Sequence, residues 1–121
     1  MLLLLSLGVL ALFFIAGGVN HFVNPKFYLS MMPDYLPAHL LLVNASGVFE
    51  VLGGVGILVP FTRYYTGLGL IALLVAVFPA NLNMALHPER FPSVPLWGLY
   101  LRLPLQLVLI TWVWWTTRRL G

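Results

Sequence analysis

Four long apolar runs separated by short polar segments set the architecture of this chain. They cover Leu2–Val19, His39–Val59, Thr66–Leu86 and Leu96–Thr117. At about 1.5 Å per residue, each gives roughly 30 Å of helix, the thickness of a bilayer's hydrocarbon core. The runs lack the apolar–polar alternation of barrel strands, and lipid offers the backbone no hydrogen-bond partners, so spanning segments of this kind are helical. The expected fold is all-α, an integral membrane four-helix bundle forming one transmembrane domain over residues 1–121.

Helix breakers sit between the runs. The link Asn20–Ala38 is rich in Pro and Asn, Pro60–Tyr65 reads as a short turn, and His87–Pro95 is polar and carries Pro88, Pro92 and Pro95. Ala16-Gly17-Gly18 resembles a signal-peptide cleavage site, but no Lys or Arg precedes the apolar core, so the first run is expected to stay as a span.

Against this background the polar residues inside the runs stand out. Glu50 lies in the middle of the second, where an ionisable group costs about 2.5–3.5 kcal/mol on insertion scales and therefore faces a partner or a cavity. Arg102 lies in the fourth, and opposite charges at depth are expected to pair. Counted from the outer helix ends, their backbones differ in depth by about 8 Å, which a long Arg side chain, a water or a third polar group bridges. The pair reads either as a structural lock or as part of a proton or ligand site. Asn44, Ser46, Asn81, Asn83 and Gln106 fall in the same membrane half, with Asn20-His21 closing the first run beside them. Pro79 removes a helix hydrogen bond, frees the carbonyl of Val75 and is expected to kink the third run just before Asn81.

Small residues mark the expected packing faces. Ser46, Gly47, Gly53 and Gly54 share a face with Glu50, and Ala72, Ala76 and Ala80 recur every fourth position in the third run. Aromatic residues mark the interfaces. Phe61, Tyr64, Tyr65, Trp112, Trp114 and Trp115 read as anchors on one side, with Phe27, Tyr28, Tyr35, Trp97 and Tyr100 opposite.

Composition narrows the function classes. Hydrophobic residues make up 61% and charged residues 7% of the chain, against about 25% charged in soluble domains. There is no cysteine, so the chain performs no thiol–disulfide exchange of its own. Its six Lys and Arg are too dispersed for a nucleic-acid footprint. Arg63, Arg118 and Arg119 lie on the side of the termini, while Lys26 and Arg90 opposite are offset by Asp34 and Glu89, so the positive-inside rule places the termini in the cytoplasm.

Other chemistries find little support. His21, His39 and His87 fall at one membrane face with Asp34 and Glu89, but no pair has a recognisable zinc spacing, so no metal site is expected. The histidines lie too near helix ends for a bis-histidine haem. Gly53-Gly54-Val55-Gly56 sits within a span, not between a strand and a helix, which removes a dinucleotide reading. No Ser-His-acid arrangement has motif support.

Several segments, in order along the chain, carry a family resemblance. Gly17-Gly18-Val19-Asn20-His21-Phe22, Pro25 with Tyr28, Met32-Pro33 with Leu36-Pro37, Ser46-Gly47-Val48-Phe49-Glu50, Phe78-Pro79-Ala80-Asn81, and Leu101-Arg102-Leu103-Pro104-Leu105-Gln106 with Trp112 resemble the small DoxX-like membrane proteins. The resemblance implies a four-helix transmembrane bundle. It also implies a link to quinones, because the family is named for a small subunit associated with a thiosulfate:quinone oxidoreductase. More distant relatives are associated with thiol redox, which the absence of Cys argues against here, or with membrane-protein assembly.

Together these readings lead to an expectation. The chain is a multi-pass protein of the bacterial inner membrane, more an accessory or ligand-binding component of quinone-linked redox chemistry than an enzyme on its own. Glu50, Arg102, Asn81, Gln106, Asn20 and His21 form its polar centre, with a quinone as the candidate ligand. The alternatives are an assembly factor or small subunit of a larger membrane complex or homo-oligomer, and a small transporter or proton path using Glu50.

Overall fold

The computed structural model describes residues 1–92 and 94–120. It contains five α-helices: α1 (Leu2–Val23), α2 (Pro25–Met31), α3 (His39–Leu58), α4 (Arg63–Leu86) and α5 (Leu96–Leu120), with a 3₁₀ turn at Pro88–Arg90. Four of them, α1, α3, α4 and α5, are long and apolar enough to cross a membrane. Among the described residues there is no strand.

The long helices form an up-and-down ring in chain order, α1 against α3, α3 against α4, α4 against α5, and α5 back against α1. The sequence pattern explains the tightest of these contacts. Gly18 and Ala11 on α1 are seven residues apart, as are Gly47 and Gly54 on α3. A Cβ on Gly18 would stand 2.6 Å from the Gly47 carbonyl oxygen, and one on Gly54 would stand 2.9 Å from that of Ala11. Missing side chains thus let the two backbones touch, the device by which membrane helices associate without a hydrophobic driving force.

Alanine spacing in α4 behaves differently from expectation. Ala80 is buried, but Ala72 and Ala76 are exposed on the outside of the bundle. α4 instead meets its neighbours through Leu70, which fills the space over Gly53, and through Gly67, which lies against Thr117. The helix runs unbroken through Pro79, and α5 likewise through Pro104.

Two apolar cores fill the ring. One contains Leu7, Leu10, Ala11, Phe14, Ile57, Leu70 and Val113, near the end that carries the termini. The other contains Met31, Ala80, Met84, Phe91 and Leu99 at the opposite end. Glu50, His21, Gln106 and Arg102 form a polar layer between the cores, with Asn81 at its margin beside Ala80 of the second core.

Two boundaries differ from the sequence reading in ways that matter. α1 continues to Val23, one turn past Val19, which puts His21 on a helical face inside the bundle. The long link is not irregular throughout: Pro25 starts α2 at a position where a helix needs no N–H, and α2 packs against α1, α3 and α4. Ala38, which precedes α3, has φ 51° and is the one positive-φ residue other than glycine among the described residues.

Candidate functional site

The polar layer surrounds a cavity of about 350 Å³. Its walls include Phe13, Phe14, Leu73, Leu74, Leu105 and Leu109, and its polar lining consists of His21, Tyr28, Glu50, Asn81, Arg102 and Gln106. Five of the six residues expected to form the centre therefore meet there. Asn20 does not line it, but its amide donates to the Tyr28 hydroxyl at 2.7 Å and accepts from the Asn24 amide at 2.6 Å.

Glu50 is held by α1. Gly17 leaves room for the carboxyl group, since a Cβ there would stand 2.6 Å from Glu50 Oε1. The other oxygen, Oε2, lies 3.3 Å from His21 Nδ1, and the same nitrogen lies 2.8 Å from the Gly17 carbonyl oxygen. Gly17 thus provides both the space for the acid and an acceptor for the base.

The expected Glu50–Arg102 pair does not form. α3 and α5 sit diagonally across the ring, with the cavity between the two charges, whereas α1 is adjacent to α3 and presents His21 within reach. Arg102 instead lies over the Phe27 ring, 5.7 Å from its centroid. At that range the guanidinium gains a cation–π attraction of about 0.5–2 kcal/mol, depending on how dry the site is.

The two amides of the layer engage each other. Asn81 Nδ2 donates to Gln106 Oε1 at 2.5 Å, and Gln106 Nε2 donates to the Leu74 carbonyl. That carbonyl is the neighbour of the Val75 carbonyl left without its helical partner by Pro79. The glutamine thereby ties α4 to α5 beside the cavity.

Tyr28 and Phe27 are not interfacial anchors. Tyr28 stacks on His21 with ring centroids 3.9 Å apart and an interplanar angle of 18°. On the far side of this stack lies a second cavity of about 250 Å³, lined by Met32, Leu36, Leu42, Val43, Ser46 and Ala80 among others. His21, Tyr28, Met31 and Val77 border both cavities. The anchor reading does fit Tyr35, Phe61, Tyr65, Trp97 and Tyr100, all of which are exposed.

Sequence reasoning passed over Gly17 as a packing partner of Glu50 and Tyr28 as a cavity residue. Pro25 at the head of a seven-residue segment was the available signal for α2, and α2 is what turns Tyr28 inward. Asn83 fixes that helix, donating to the carbonyl of Met31 at 3.0 Å. Asn44, by contrast, does not line the cavity.

Comparison with known proteins adds a family. No curated protein and no solved structure matches the chain. A family model described as "Domain of unknown function (DUF8561)" matches residues 10–117, a segment that contains every residue of the cavity lining. The chain, a bundle with four helices fit to span a membrane and a polar cavity between its two apolar cores, belongs to this DUF8561 family.

Proposed function

We propose that the chain binds a small amphiphile with a quinone-type ring headgroup in the cavity between α1, α4 and α5, and serves as an accessory component of quinone-linked redox chemistry. The observation that carries this reading is the cavity itself, with apolar walls and polar groups converging at one level. Its 350 Å³ lies within the roughly 300–1,000 Å³ usual for small-molecule sites. The DoxX-like resemblance supports the same ligand class. The setting is a bacterial inner membrane with cytoplasmic termini, which places the cavity in the outer half of the bilayer.

Native mass spectrometry after gentle extraction tests the reading. A retained molecule of quinone mass is expected in the wild type and is lost in Arg102→Leu and Glu50→Gln. Absence of any small ligand, together with wild-type stability and binding of added quinone in Arg102→Leu, would refute it.

A second reading, a small subunit of a larger membrane complex, is favoured by one feature. Gly69, Ala72 and Ala76 lie along an open groove between α3 and α4 bordered by Phe49 and Leu52. Small residues there would admit another helix. Co-migration with a large complex in mild detergent supports this alternative, and a discrete small species opposes it.

A further inference from the structure

We propose that the cavity selects its ligand by a hydroxyl group, taking a ring headgroup in its reduced, quinol form in preference to the oxidised quinone. This preference rests on the ligand-binding reading above and adds to it the hydrogen-bond polarity of the ligand.

The polarity follows from the protons already assigned within the layer. His21 Nδ1 faces the Gly17 carbonyl oxygen at 2.8 Å and Glu50 Oε2 at 3.3 Å. A backbone carbonyl accepts and never donates, so Nδ1 carries the hydrogen. In a neutral imidazole the other nitrogen, Nε2, is then a lone-pair acceptor. Nε2 has no hydrogen-bond partner among the described residues, yet no buried side-chain nitrogen or oxygen lacks one. It therefore reaches open space, and His21 borders both cavities.

Other groups around the cavity supply both polarities. Glu50, from α3, adds acceptor oxygens next to His21. Asn81, from α4, uses its amide nitrogen on Gln106, which leaves its own carbonyl oxygen as an acceptor. Tyr28, from α2, accepts from Asn20 through its oxygen and keeps its hydroxyl hydrogen. Arg102, from α5, is the strong donor, with the Phe27 ring as its recorded contact.

The site therefore offers acceptors that ask for a hydrogen as well as donors that ask for an oxygen. A quinol supplies both, because each hydroxyl donates and accepts. A quinone supplies acceptor oxygens alone, which satisfies Arg102 but leaves His21 Nε2 desolvated without a partner, the costly half of a broken hydrogen bond. The His21 ring is also held for this task. The Gly17 carbonyl and Glu50 fix its tautomer, and Tyr28 fixes its plane, much as an outer partner orients a ligating histidine.

The test is anaerobic calorimetry on the full chain in lipid nanodiscs, with a decyl-tailed benzoquinol and the matching benzoquinone as probes. The expected result is quinol binding about tenfold tighter than quinone, the effect of one hydrogen bond made rather than left open. His21→Phe keeps a ring against Tyr28 but has no acceptor, so the quinol-to-quinone affinity ratio should fall to near one. Equal wild-type affinities, or a tighter quinone, would overturn the hydroxyl preference and leave ligand binding standing. No binding of either probe would overturn both. The wild-type ratio decides the matter even if His21→Phe does not fold.

Discussion

Replacing Gly17 and Gly18 one at a time by Ala should separate the site from the helix seam. At Gly18 the added Cβ meets backbone, 2.6 Å from the Gly47 oxygen and 2.9 Å from the Val51 nitrogen. Ordinary van der Waals contact needs roughly another ångström, and helix backbone cannot swing aside as a side chain can. α1 and α3 must separate along their closest contact, an overpacking cost of about 1–3 kcal/mol or more. At Gly17 the nearest atom is Glu50 Oε1 at 2.6 Å, the free end of a flexible side chain. The carboxyl group turns away, the Glu50–His21 contact of 3.3 Å is lost, and its worth of about 0.5–1.5 kcal/mol is largely offset by about 1 kcal/mol of better helix propensity. The expected net loss is therefore small at Gly17 and large at Gly18. Equilibrium unfolding in mixed micelles, followed by circular dichroism, measures both. Equal stabilities for Gly17→Ala and Gly18→Ala would refute the assignment of one glycine to the site and the other to the seam.

Three further substitutions test other parts of the bundle. Arg63 is buried and donates through Nε to the Ile57 carbonyl at 2.7 Å and through Nη2 to that of Leu58 at 3.3 Å, closing the C-terminal end of α3. Arg63→Met should destabilise by about 1.5–3 kcal/mol, and hydrogen exchange should rise first in the last turn of α3. Ser6 accepts from Trp112 Nε1 at 2.5 Å and shares a hydrogen with Thr116 Oγ1 at 2.9 Å, so Ser6→Ala leaves the half-buried indole without an acceptor. A loss of about 1–3 kcal/mol with a changed Trp fluorescence spectrum is expected, and an unchanged spectrum would count against the contact. Ala38 at φ 51° carries a left-handed penalty of about 1–2 kcal/mol, so Ala38→Gly should stabilise by up to about 1 kcal/mol after its added chain entropy. A destabilised Ala38→Gly in the same unfolding assay would contradict that.

The spanning helices were legible because a bilayer imposes one length and one polarity on every segment that crosses it. His39–Val59 and Leu96–Thr117 nearly coincide with α3 and α5 for that reason. Glu50, Asn81, Arg102 and Gln106 stood out too, since polar residues within apolar runs are few and expensive. Partner choice was not. Whether Glu50 meets Arg102 or His21 depends on which helices are neighbours in the ring, and on a missing side chain at Gly17, neither of which hydropathy encodes. α2 escaped because seven residues are too few for a periodic signal, and without α2 Tyr28 and Phe27 look like ordinary interfacial aromatics. The exposure of Ala72 and Ala76 has the same origin: every-fourth spacing identifies a face but not what lies against it.

The seam between α1 and α3 also bears on how the chain enters the bilayer during synthesis. Gly17, His21 and Glu50 all belong to α1 and α3, which are made before α4 and α5. Glu50 alone would add about 2.5–3.5 kcal/mol to the insertion of α3, yet its space and its imidazole partner already stand in α1 when α3 emerges. The acid can thus be sheltered by a two-helix intermediate before α4 and α5 exist, and the later pair needs only to close the cavity around it.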